Sequence, residues 1–455
     1  MKRAFVFALF AVFLGHGDCF AQTNKASKDS KPAARQEVVP PPVAPPDAAG
    51  IPAHPSPYNF PGVQFPRIEA DSRVTFRFNA PTAQNVQVSI VNVPFDMVKG
   101  DDGMWTYTSA PQAPGYHNYW MIVDGAIVLD PGTQAFIGYG HMCNGFEVSE
   151  PGVDFYDIKD VPHGNVLIKN YFAKTTNSWR HIFVYTPPGY ETKLKTRYPV
   201  FYLQHGGGED ERVWIEMGRT DVILDNLFAA GKVKPMIVVM ETSATGAPTA
   251  AGGRPGIGAA APAGGAGRGP GAPPVTPAVG APSGAPAPAG RGFPGIGGPG
   301  GGAYGQFMTT ELIPWIDKNF RTMPDKDHRA MAGLSMGGMQ TSAVTMANLD
   351  KFSYIGFFSG GAATGGRGRG GPPAPFDIKT IYNGQMADPA SFNKKVKALL
   401  MSCGSLENPD ALKTHQQQLI AAGITNTHLY ISPGTAHEWQ TWRRSLYAFA
   451  PLLFR

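Results

Sequence analysis

The chain has 455 residues, a formal charge of +5 and 16% charged residues. That length admits two domains, and so small a net charge, spread without blocks of one sign, gives no case for a nucleic-acid or membrane partner. Gly at 56 and Pro at 43 exceed ordinary usage, so part of the length is not core.

Residues 1–21 read as a signal peptide. Lys2 and Arg3 form a basic start, residues 4–14 are apolar, and Cys19-Phe20-Ala21 is a small-residue cleavage site before Gln22. The apolar run is too short to span a bilayer and no second candidate follows, so the expected product is secreted or periplasmic, with no membrane association after cleavage. Cleavage leaves Cys143 and Cys403, which are far apart and are expected as two buried thiols rather than a disulfide.

Residues 22–57 are polar and Pro-rich, a linker without the apolar residues to build a core. From 58 to 150 the texture changes to alternation and aromatics. Stretches 73–78, 86–90, 104–107 and 116–122 have strand character and are separated by turns such as Gly100-Asp101-Asp102-Gly103. This spacing predicts a small β-sandwich. Its aromatics suit a core, and stacking on sugar rings is the rival use.

Residues 151–455 switch to strand–helix alternation. Strands are expected at 181–185, 198–203, 236–240, 354–359, 397–401 and 428–431, with helices among them at 220–231 and 306–319. Apolar strands alternating with helices imply an α/β domain with a mostly parallel sheet covered on both faces. The alternation breaks at 244–303, which is almost wholly Gly, Ala and Pro with three Arg and no Lys, Asp or Glu. Such a tract is a surface insertion by default. A substrate lid, or an Arg/Gly nucleic-acid element extended by Gly366-Arg367-Gly368-Arg369-Gly370, is the rival reading.

The chemistry centres on Gly333-Leu334-Ser335-Met336-Gly337, set between a short apolar strand and a run of helix formers. Such a turn strains the Ser backbone, pushes its hydroxyl out of the sheet and places it at a helix N-terminus, which suits a nucleophile. A base, an orienting acid and oxyanion donors must accompany it. In α/β-hydrolases the order is Ser, acid, His, and only His415, His428 and His437 follow Ser335. His415 lies in a polar helical run and His428 within a strand. His437 follows the last strand on a loop, where such folds expose catalytic groups, and is the expected base. Glu407 and Asp410 compete for the acid; Glu407 lies nearer its strand end and is preferred. Gln204-His205-Gly206-Gly207-Gly208 resembles an oxyanion loop, so the N–H groups of Gly207 and Gly208 are expected to join that of Met336. Trp439 and Trp214 are the candidate substrate-binding aromatics. No metal-ligand spacing, dinucleotide fingerprint or P-loop is present, so no metal or cofactor is expected.

These residues resemble the bacterial esterase family that includes feruloyl and acetyl-xylan esterases (carbohydrate esterase family 1) and the enterochelin esterases. The matching text includes Val161-Pro162-His163-Gly164, Tyr185-Thr186-Pro187-Pro188-Gly189-Tyr190, Gln204-His205-Gly206-Gly207-Gly208-Glu209, Leu224-Asp225-Asn226-Leu227, Gly333-Leu334-Ser335-Met336-Gly337-Gly338 and His437-Glu438-Trp439. The upstream sandwich resembles an early-set, glycogen-binding-like module. The resemblance implies a nucleophile at Ser335, a base at His437 and an acid at Glu407. The family pattern has Asp at that last position, and the longer Glu keeps Asp410 as the alternative. It further implies an exported serine esterase that removes feruloyl or acetyl groups from plant cell-wall polysaccharide, with an ester-bearing carbohydrate as its partner. A siderophore esterase and a carbohydrate-binding protein with an inactive hydrolase domain are the rival readings.

Overall fold

The structure, a computed structural model, describes residues 37–44, 50–243, 302–363 and 375–455. The expected signal peptide, the first part of the Pro-rich linker, nearly all of the Gly/Ala/Pro tract and the Arg/Gly run at 366–370 lie outside the described residues.

Between His54 and Val148 the chain forms two antiparallel sheets. One runs His54–Pro55, Arg67–Ile68, Val74–Asn79, Met104–Thr108, Val98–Lys99. The other runs Ala135–Gly138, His141–Val148, Gly115–Val123, Val86–Ile90, Val93–Asp96. Alternation decides which faces meet. Val74, Phe76 and Phe78 point inward from one sheet, and Val88, Tyr119 and Phe146 meet them from the other. The result is the expected β-sandwich.

The second layer system is an eight-stranded sheet. Its strands are β1 (Asn165–Ala173), β2 (Ser178–Thr186), β3 (Val200–Gln204), β4 (Ile237–Glu241), β5 (Arg329–Leu334), β6 (Tyr354–Phe358), β7 (Ala398–Gly404) and β8 (Thr427–Ser432). They lie side by side as β1-β2-β4-β3-β5-β6-β7-β8. The β1–β2 hairpin joins β4 antiparallel, and every other neighbour pair is parallel. Every residue of β3 through β7 is buried, as parallel strands covered on both faces must be. This is an α/β-hydrolase sheet. Strand β1 was absent from the expected set because it is an edge strand: Ile168, Lys169, Asn170 and Phe172 are exposed, which blurs its pattern.

Four helices matter for the site: α1 (Thr220–Ala229), α2 (Met336–Ala347), α3 (Pro409–Ala421) and α4 (Trp439–Phe449). Helix α4 is buried along its whole length, although it carries two arginines. It lies between the hydrolase sheet and the sandwich, and its charges are answered there. Arg443 is fully buried and donates to both carboxyl oxygens of Glu147 at 2.6 and 3.0 Å. Arg444 donates to both oxygens of Glu150 at 2.8 Å each. Gln440 adds a third link, to Glu150 at 2.8 Å. The described residues from 37 to 455 form one compact unit. Cys143 and Cys403 are buried free thiols. Among the described residues no helix is long and apolar enough to cross a membrane.

Candidate active site

The loops that follow β3, β5, β7 and β8 leave the sheet at its carboxyl edge, where α/β folds expose reactive groups. Ser335 sits between β5 and α2 with φ 51° and ψ −116°. A non-glycine residue held there costs about 1–3 kcal/mol, which the surroundings must offset. Its N–H donates to Phe358 O at 2.8 Å, which pins the turn to β6. Close approach explains the flanking glycines. A Cβ on Gly337 would lie 2.3 Å from His205 O, and one on Gly333 would lie 2.4 Å from Gly337 O.

The structure brings three of the expected residues into one hydrogen-bonded line. Ser335 Oγ is 2.9 Å from His437 Nε2, and His437 Nδ1 is 2.9 Å from Glu407 Oε2. The other carboxyl oxygen of Glu407 accepts from Gly404 N–H and Ser359 Oγ–H, both at 2.7 Å. Burial alone would raise this carboxyl, but the bond and charge of His437, with the Gly404 and Ser359 donors, hold it below the usual carboxylate range. Asp410 lies elsewhere. It is exposed on α3 and pairs with Lys413 at 3.0 Å. His415 is buried against Tyr382, and burial pushes its pKa down to about 4. His428 is buried within β8. Neither of these histidines lines the cavity at Ser335.

That cavity holds about 120 Å³. Ser335, His437, Gly206 and Gly207 line it, and Trp439 and Trp442 form an aromatic side. Met336 opens α2, so its N–H has no intrahelical acceptor. Two expected residues stand apart from this lining. Gly208 is not part of it, and its carbonyl accepts Gly140 N–H from the sandwich at 2.9 Å. Trp214 is also away from the cavity and is only 1% exposed. Its indole N–H donates to Gln204 O at 2.9 Å, and its ring meets Trp439 edge-on at 5.4 Å. It anchors the ladder Trp214–Trp439–Trp442, whose last ring stands edge-on to His437 at 5.1 Å.

Sequence reasoning missed three contributors. Ser359 bonds Glu407 and also accepts the indole N–H of Trp442 at 3.1 Å. Its φ of 51° echoes that of Ser335, a feature with no local sequence signal. Glu209 lines the cavity, and its position directly after the glycine loop was the available clue. The third contributor is the sandwich itself, which supplies a wall through Tyr116, Asn118 and Tyr139. No group of His, Cys, Asp and Glu among the described residues is arranged to hold a metal ion.

Residues 272–452, a span that includes Ser335, Glu407 and His437, match the family model described as "Putative esterase". An endo-1,4-beta-xylanase/feruloyl esterase of Xylanibacter ruminicola is 35% identical over 409 residues, covering 88% of this chain and 47% of that protein. Endo-1,4-beta-xylanase Y of Acetivibrio thermocellus is 22% identical over 325 residues, covering 67% of this chain and 24% of that protein. The chain thus spans about half, or less, of the length of these curated relatives. Among solved structures, an enterobactin esterase of Shigella flexneri aligns with a TM-score of 0.54 at 14% identity, covering 84% of this chain and 92% of that one. That likeness is one of fold.

Proposed function

We propose that this chain, which carries an esterase-family domain on an α/β-hydrolase sheet, is an exported serine carboxylic-ester hydrolase that removes feruloyl or acetyl groups from xylan-type polysaccharide. The observation that carries the reading is the unbroken line Ser335–His437–Glu407 opening on an aromatic cavity. Ser335 Oγ attacks the ester carbonyl while His437 Nε2 takes its proton. The tetrahedral oxyanion receives the N–H groups of Met336 and Gly207. The C–O bond to the sugar then breaks, and His437 returns the proton to the departing alcohol. Water repeats the sequence on the acyl-enzyme and releases the acid. Glu407 holds the imidazole tautomer and stabilises the imidazolium that forms at each transfer.

The lining supports one acyl class over the other. Tyr116, Tyr139, Trp439 and Trp442 favour an aromatic acyl group such as feruloyl, in keeping with the name of the Xylanibacter ruminicola relative. A siderophore ester fits less well. The lining holds no Lys or Arg, so it offers no cation to an anionic iron chelate. The test is kcat/KM on methyl ferulate beside ethyl acetate. The reading expects methyl ferulate to be preferred at least tenfold; equal rates on the two esters would contradict an aromatic acyl pocket.

A further inference from the structure

Glu209 is an ionisable group of the cavity that the Ser335–His437–Glu407 line leaves unused. Its Oε2 accepts Gly206 N–H at 2.8 Å. A Cβ placed on Gly206 would lie 2.9 Å from that same oxygen and 3.6 Å from Ser335 Cβ, so carboxyl and nucleophile flank one peptide. The carbonyl side of Gly206 is held as well. His205 Nδ1 lies 2.7 Å from Gly206 O, while its Nε2 accepts Ser243 N–H at 3.2 Å, so the ring donates to Gly206 from Nδ1. Two residues on, Gly140 N–H holds Gly208 O. Between these restraints the N–H of Gly207 finds no partner among the described residues, and Gly207 lines the cavity.

We propose that Glu209 is a positioning residue for the reaction: its carboxyl holds Gly206 N–H and thereby fixes the backbone that presents Gly207 N–H to the oxyanion. The inference rests on the ester-hydrolase reading and extends it to the side chain that holds the Gly206–Gly207 loop. The protonation state of Glu209 matters because negative charge develops close by. Burial pushes this carboxyl up to about 8, with Asp210 adding to the rise and the Gly206 bond opposing it. At neutral pH it is therefore an uncharged acceptor, and above that value it becomes an anion facing the oxyanion. The titratable groups around it are few. Asp210 is paired with Arg212, and burial pushes His205 down. Tyr139 and Cys143 face it from the sandwich hairpin, and both feel its charge. His117, His437 and Glu438 share the cavity. No Lys or Arg in the lining compensates its ionisation.

The test is the rate at which a fluorophosphonate phosphonylates Ser335 in the wild type, Glu209→Gln and Glu209→Ala, from pH 6 to 10. The proposal expects Glu209→Ala to lose about 10- to 100-fold at pH 7. Glu209→Gln, which keeps an acceptor for Gly206 without a charge, recovers most of that loss. The wild type slows above about pH 8, and Glu209→Gln does not. Thermal unfolding gives a second readout. The folded carboxyl keeps its proton to about 8, against 4.5 when unfolded, so the wild type loses stability relative to Glu209→Gln as pH rises through that window. Glu209→Ala labelling within twofold of the wild type overturns the proposal, as does a shared alkaline decline in wild type and Glu209→Gln. Absence of labelling in the wild type itself overturns the ester-hydrolase reading and this inference with it.

Discussion

At the residue scale, Glu407 and not Asp410 is the carboxylate that reaches His437. Glu407 spends one oxygen on two local donors and aims the other at the imidazole, so its geometry is fixed before a substrate arrives. Asp410 is turned to solvent with Lys413. Glu407→Gln is therefore expected to lower kcat by roughly 10³- to 10⁴-fold, because an amide no longer selects the reactive tautomer. Asp410→Asn should leave kcat within about twofold, as befits an exposed surface pair. Steady-state kinetics on a chromogenic ester decide between them, and comparable losses in both variants would remove Glu407 from the role. The loop folds back on itself, with Glu407 N–H donating to Gly404 O at 3.2 Å, and the carboxyl reaches His437 from that turn. That arrangement is a backbone event. No residue letter announces it, which is why the sequence alone left two candidates.

At the scale of elements, much of the text that carries the family resemblance is scaffold. Asp225 of α1 is buried, accepts from Tyr185 Oη at 2.7 Å and from Gly164 N–H at 3.0 Å, and meets His163 at 3.0 Å. Asn226 donates to the carbonyls of Phe155 and Asp157. The motifs at 161–164 and 224–227 thus lock the entry segment onto α1, away from the chemistry. Helix α4 does the comparable work at the other end. It starts two residues after His437, and the buried pairs of Arg443 and Arg444 fasten it to the sandwich. Arg443→Met leaves Glu147 buried beside an apolar chain, and its expected cost is roughly 3–5 kcal/mol. The double variant Arg443→Met, Glu147→Leu should regain most of that loss. Denaturant unfolding midpoints measure both. A single variant as stable as the wild type would show that the pair does not hold the two sheet systems together.

For the whole molecule, the reactive line was legible and the cavity around it was not. Ser335 announces itself through neighbouring glycines and a strand–helix boundary, all within ten residues. His437 follows from strand order, since it leaves its strand at the same edge as Ser335; the same argument favours Glu407 but leaves Asp410 beside it. Docking carries no such local signature. Nothing in the alternation of residues 115–123 or 135–148 says that Tyr116, Asn118 and Tyr139 will face a serine some two hundred residues later. The same blindness misplaced Trp214, whose aromatic character reads equally well as a binding platform or as the buried anchor it is. The edge strand β1 escaped because exposure broke its pattern.

Whether Ser335 forms the acyl-enzyme is decided by hydrolysis of methyl ferulate and p-nitrophenyl acetate by the wild type beside Ser335→Ala. Turnover by the wild type and a loss on the order of 10⁵-fold in the variant, with the fold retained, are expected. A folded Ser335→Ala protein that keeps its rate within tenfold of the wild type would contradict acyl-enzyme formation at Ser335.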